Sequence, residues 1–112
     1  MQQELFGPVA TVLRFDSEDQ AIDLANDTRF GLAAGIFTTD IGRALRVTKG
    51  IRSGIIWVNT YRMVSPLAPF GGFKDSGYGR ESGLEAIYDY TRAKTVWFST
   101  AADSIADPFV MQ

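Results

Sequence analysis

Residues 69–81 read Pro69-Phe70-Gly71-Gly72-Phe73-Lys74-Asp75-Ser76-Gly77-Tyr78-Gly79-Arg80-Glu81, and the rest of the chain is arranged around them. Four of these thirteen residues are glycine, and Phe70, Phe73 and Tyr78 are interleaved with them. Glycine tolerates unusual backbone angles and lets main chain approach another surface closely. Flexible linkers carry Gly and Ser without aromatics. The stretch therefore reads as a packed, irregular loop joining an apolar strand to a helix.

Upstream of the loop, residues 55–59 (Ile-Ile-Trp-Val-Asn) form a strand candidate. Before it, Asp40 can cap a helix in which Ile41, Ala44, Leu45 and Thr48 share one face, with Gly50 as its stop. Residues 32–37 (Leu-Ala-Ala-Gly-Ile-Phe) form a second apolar strand candidate. Ser17 and Gln20 have capping-box spacing, and Ala21, Ile22 and Ala25 carry a short helix to Asn26 or Asp27. Residues 9–15 (Val-Ala-Thr-Val-Leu-Arg-Phe) read as a first, mostly buried strand entered through Pro8. Continuous apolar runs alternating with amphipathic helices indicate parallel strands covered on both faces. The fold class is α/β, a parallel three-layer β-α-β-α-β unit.

Residues 60–68 make a loop more apolar than a surface connection needs. Downstream, Ser82 and Glu85 repeat capping-box spacing ahead of a third helix with Leu84, Ile87 and Tyr88 as its buried stripe. Residues 94–99 alternate like an edge strand, and the tail from Thr100 lacks periodicity. A sheet this small leaves edges needing cover, so the unit reads as one part of a larger sheet.

The 112 residues suffice for about one domain. Net charge is −2, which recommends neither nucleic acid nor an anionic membrane as partner. Arg43, Arg46, Lys49 and Arg52 recur at threefold spacing, as a solvated helix face does. There is no signal-peptide pattern and no apolar run of membrane-spanning length, so a cytoplasmic location is the expectation.

The chain contains no cysteine and no histidine. That removes disulfides, thiolate metal sites, a cysteine nucleophile and a histidine base. Neither the Gly-x-Gly-x-x-Gly fingerprint nor a P-loop is present. Two places still invite a ligand. Glu4, beside Leu5 and Phe6 on a Gly-Pro turn, reads either as a solvated carboxylate or as an acceptor for a ribose diol. Met63, Val64 and Phe70 read either as loop residues packed on the core or as the lining of a pocket.

Glu4-Leu5-Phe6-Gly7-Pro8-Val9 and the glycine loop together resemble the NAD(P)-dependent aldehyde dehydrogenase superfamily. Residues 26–35 (Asn-Asp-Thr-Arg-Phe-Gly-Leu-Ala-Ala-Gly) and residues 54–59 (Gly-Ile-Ile-Trp-Val-Asn) look like two further stretches of that family, in the same order. The resemblance covers about the last quarter of such an enzyme. It implies that residues 1–93 are part of the catalytic domain and residues 94–112 an oligomerisation strand and tail. It implies that Glu4 bonds the nicotinamide-ribose hydroxyls and that Phe6 packs beside the nicotinamide. Phe70 becomes a wall of the aldehyde tunnel, and Met63 and Val64 shape its entrance. Val64 stands where relatives can carry an aromatic, which implies a wider mouth.

In the family a cysteine thiolate attacks the aldehyde, and the hemithioacetal passes a hydride to the nicotinamide. The thioester is then hydrolysed with a glutamate as base. Those groups lie upstream of the part resembled here, and this chain has no cysteine. The expectation is a C-terminal segment of an aldehyde dehydrogenase, inactive alone and not binding NAD or NADP tightly by itself. It would associate with the rest of such an enzyme or as a homo-oligomer. A stand-alone oligomerisation or interaction module is the alternative, and an independent nucleotide-binding domain is disfavoured by the missing phosphate cradle.

Overall fold

A computed structural model describes residues 2–100, 102 and 109. Met1 and most of the tail after Thr100 lie outside the described residues. Helix α1 spans Glu18–Asn26, where Ser17 accepts from the Gln20 amide and Glu18 and Asp19 occupy the first turn. The reciprocal arm of the cap reaches one residue further back, with Asp16 N–H donating to Gln20 Oε1 at 2.7 Å. Helix α2 spans Ile41–Gly50, and its Asp40 cap accepts from Arg43 N–H at 3.0 Å. Both helices begin where local cap chemistry places them.

Between and after them lie β1 (Phe30–Gly31), β2 (Ala33–Ile36) and β3 (Ile55–Val58). Strands β2 and β3 pair in parallel, from Ala33 opposite Ile55 to Ile36 opposite Val58, with α2 as the crossover. This β-α-β unit, with α1 packed on α2, is the α/β arrangement expected. Gly50 is the last residue of α2 rather than a left-handed stop, and its role is proximity. A Cβ there would stand 2.9 Å from the Ile22 side chain of α1.

Other expectations need correction. Residues 9–15 form no ladder, and Val12 is exposed. Residues 94–99 likewise form none, with Trp97 and Phe98 about nine-tenths exposed. Apolar runs mark segments that require burial; they do not supply the neighbouring strand that a ladder requires. Helix α3 is the short Ala86–Tyr90, and Leu84, Ile87 and Tyr88 are exposed rather than buried. Its capping box does not form. The antiparallel bridge between Phe70 and Glu81, bonded both ways at 2.7 Å, turns Ser82 to φ 60°, away from an N-cap conformation.

Among the described residues the buried hydrophobics are Ala44 and Val47, both on α2, and neither is sealed completely from solvent. The radius of gyration is 23.0 Å, against about 13 Å for a compact chain of this length. Accessible surface is 10154 Å², where a compact chain of this mass exposes about 6,100 Å². The apolar faces of the unit are thus turned outward, in position to be covered.

Helices α1 and α2 are also joined by charge. Arg46 grips Glu18 through Nε and Nη2 at 2.7 and 2.9 Å, and Arg43 Nε stands 3.5 Å away. The Arg46 hydrogen bond, helped by the charges of both arginines, lowers the Glu18 carboxyl below its ordinary value. A carboxyl depressed in the fold adds stability above its unfolded pKa, and that contribution disappears as pH falls through the folded value. Acidification from about pH 5 toward 3 is therefore expected to loosen the α1–α2 contact. Urea midpoints across that window check this: Glu18→Gln should flatten the slope, and an unchanged slope would remove Glu18 from the account.

Candidate functional site

The groove of interest is assembled where β3 ends. Asn59, at φ 54°, turns the chain out of the sheet. Its side chain continues the ladder by one step, accepting from Thr38 N–H and donating to Thr38 C=O, each at 2.8 Å. The loop of residues 60–68 then folds back. Trp57 on β3 donates its indole N–H to the Met63 carbonyl at 2.7 Å, and a turn closes with Ala68 N–H on Ser65 O at 3.1 Å.

The glycine loop supplies the other wall. Gly71 lies directly against Gly54, so that a Cβ on Gly54 would overlap the Gly71 carbonyl. Beyond it, β4 (Phe73–Lys74) pairs antiparallel with β1. Arg80 lies over the Phe73 ring at 5.5 Å and donates to the Gly72 and Gly79 carbonyls at 3.0 and 2.7 Å.

Lys74 is half-buried, and its ammonium donates to the Asn26 and Thr28 carbonyls, both at 3.0 Å. These are carbonyls at and just past the C-terminus of α1, where a cation is favoured. Gly31 N–H donates to Ser76 Oγ at 2.9 Å, and Arg29 pairs with Asp75 at 2.7 Å. Asn26 extends the network to α2 by donating to Gly50 O at 2.8 Å and accepting from Arg52 N–H at 2.7 Å. The loop is held by polar contacts at both ends, as its aromatic and glycine content required.

The result is an open groove of about 380 Å³ lined by Ile55, Met63, Val64, Pro66, Phe70 and Glu81, among others. Phe70 is therefore brought together with the adjacent pair Met63 and Val64. The groove's apolar lining suits an apolar or small uncharged group. Glu4 and Phe6 are not part of that lining. They lie on the N-terminal segment ahead of α1, outside any helix or strand, with the Phe6 side chain 96% exposed. A larger groove of about 610 Å³ lies among α1, β2 and α2, lined by residues such as Phe15, Ala21, Phe37 and Val47. Its charged members are Asp16, Glu18 and Arg43; Glu18 faces Arg43 and Asp16 pairs with Arg14 at 3.2 Å, which leaves an apolar face to cover rather than a convergent polar site.

Trp57, Asn59 and Lys74 escaped the sequence reading as site-building residues. An asparagine ending a strand was a usable signal for a left-handed turn. The Trp57 and Lys74 contacts depend on folding back across loops and leave no periodic trace.

Among the described residues no helix is long and apolar enough to cross a membrane. The profile of the aldehyde dehydrogenase family matches residues 1–96. A curated relative from Acinetobacter baylyi, (Z)-2-((N-methylformamido)methylene)-5-hydroxybutyrolactone dehydrogenase, is 58% identical over 109 residues, 97% of this chain and 22% of the relative. Betaine aldehyde dehydrogenase of Mesorhizobium japonicum is 48% identical over 108 residues, 96% of this chain and 22% of the relative. Among solved structures, PnpE in complex with nicotinamide adenine dinucleotide superposes with a TM-score of 0.86 at 47% identity, covering 96% of this chain and 22% of that one. The chain spans about a fifth of the length of the relatives it matches.

Proposed function

The chain belongs to the aldehyde dehydrogenase family, and from that premise we propose that it completes one wall of an aldehyde site and the nicotinamide end of an NAD(P) site. The observation that carries this reading is the convergence of Met63, Val64 and Phe70 on one apolar groove. Phe70 forms a wall for the substrate chain, and Met63 and Val64 form the mouth. Neither groove mouth nor wall supplies a nucleophile, and a chain without cysteine offers no thiolate. Alone, it does not oxidise aldehydes.

The residues suit one end of the cofactor. A carboxylate such as Glu4 accepts hydrogen bonds from a ribose diol, and the exposed Phe6 ring offers a flat apolar face to a nicotinamide. When bound, NAD(P) accepts the hydride; this chain's part is to fix the ribose and limit the ring's position. The phosphates and adenosine need a cradle that these residues do not form, so tight binding requires the remainder of an enzyme.

The rest of such an enzyme is the partner we assign to the outward apolar faces. Residues 1–93 act as part of the catalytic domain. Residues 94–112 act as the oligomerisation strand and tail, with Trp97 and Phe98 as its exposed apolar side chains. Strand addition would satisfy the backbone of residues 94–99, which forms no ladder, as well as the Trp97 and Phe98 side chains.

Aldehyde-dependent NAD(P)H formation, followed by absorbance, tests the proposal with the chain alone and with a PnpE lacking its matching segment. Activity is expected only on mixing. Activity of the chain alone would overturn it, because the nucleophile could then not be cysteine. Stable association without activity would favour an interaction module.

A further inference from the structure

The mouth of the groove is only as well defined as the loop that bears Met63 and Val64, and an indole ties that loop to the sheet. Trp57 occupies the third position of β3, opposite Gly35 in the parallel ladder. Its Nε1–H donates to the Met63 carbonyl at 2.7 Å, across a connection that leaves the strand at Asn59. The same ring meets Tyr61 edge-on, with centroids 5.1 Å apart and planes at 71°. Tyr61 lies back over Gly35, where a Cβ would stand 3.4 Å from its ring. Thus a side chain rooted in the rigid pair β2–β3 holds both the start of the loop, by ring contact, and the mouth residue, by its main chain.

We propose that Trp57 is a positioning residue that sets the width of the aldehyde groove by fixing the Met63 carbonyl. The inference rests on reading that groove as the aldehyde site. Holding the carbonyl fixes the directions in which the adjoining Met63 and Val64 side chains leave the backbone. Without the indole donor the loop keeps its covalent path and its Tyr61 contact. It loses the point that separates a defined mouth from a variable one, and a substrate must then order it on binding.

The chain contains two tryptophans, which makes the latch directly observable. In the 112-residue chain labelled with ¹⁵N-tryptophan, one indole proton is expected to exchange slowly with water and the other, from the exposed Trp97, quickly. Trp97→Phe assigns the pair, and equally fast exchange of both indole protons would overturn the latch.

In Trp57→Phe, which keeps a ring and removes the donor, amide exchange over residues 61–68 should accelerate on the order of fivefold, while α2 is unaffected. Unchanged exchange would also overturn the latch. In the mixed enzyme, Trp57→Phe should raise KM for bulky aldehydes several-fold while kcat and the cofactor KM stay near wild type. A fall in kcat with KM unchanged would refute the positioning role. An inactive wild-type mixture would instead overturn the functional reading and the aldehyde part of this inference, leaving the indole measurement to decide the latch.

Discussion

Gly54→Ala is expected to destabilise the fold by about 3 kcal/mol and to separate the glycine loop from β3. The added Cβ would overlap the Gly71 carbonyl oxygen, come 2.8 Å from its carbon and stand 3.3 Å from Gly72 Cα. All three are backbone atoms, so no rotamer change relieves the contact. Gly54 is also held from behind, since its N–H donates to Gly31 O at 3.0 Å and the next amide donates to Leu32 O at 3.1 Å. Moving Gly54 away therefore breaks the entry to the β2–β3 ladder. Moving the loop away instead pulls Phe70 from the groove and strains the bridge to Glu81. Urea unfolding of the chain should show the loss as a lower midpoint, with Ser53→Ala as the neighbouring control. A Gly54→Ala midpoint equal to that control would mean that the two backbones are not in contact.

The helices were legible because their determinants are local. Ser17 and Asp40 cap α1 and α2 using amides three residues ahead, a relation visible in any sequence. The parallel pairing of β2 with β3 was legible too, because two apolar runs flank an amphipathic helix. Residues 9–15 and 94–99 show where this stops. Their patterns state that 9–15 is to be mostly buried and that 94–99 is to lie at a sheet edge, but a ladder belongs to two strands, and only one of each pair is written in the segment itself. Ser82 fails for a related reason: its capping pattern is intact, yet the bridge at Glu81 sets its backbone angle first. For the site, Met63, Val64 and Phe70 already read either as pocket lining or as core packing, the family resemblance chose the pocket, and the structure adds their common groove. The clamps that build that groove were not legible. Lys74 bonds carbonyls 48 and 46 residues away, distances at which sequence patterns carry no register.

Asn59 is the case in which one residue type satisfies two demands at once, and its replacement should separate them. At φ 54° the backbone is left-handed, a conformation that costs an alanine roughly 1 kcal/mol and glycine almost nothing. The side-chain amide meanwhile exchanges two hydrogen bonds with Thr38, each at 2.8 Å, in place of a further ladder step. Because the pair is exposed, water can replace it in part, and its loss should cost about 1–2 kcal/mol. Asn59→Gly removes the bonds and keeps the angle; Asn59→Ala removes both. The expected order of unfolding midpoints is therefore wild type, then Asn59→Gly, then Asn59→Ala, with the alanine variant down by about 2–3 kcal/mol. Because Asn59 also aims the loop that Trp57 secures, the alanine variant should further expose residues 61–68 to amide exchange. Equal midpoints for the two variants would show that the angle carries no strain. A glycine variant as stable as wild type would show that the Thr38 bonds contribute nothing and that Asn59 serves the turn alone.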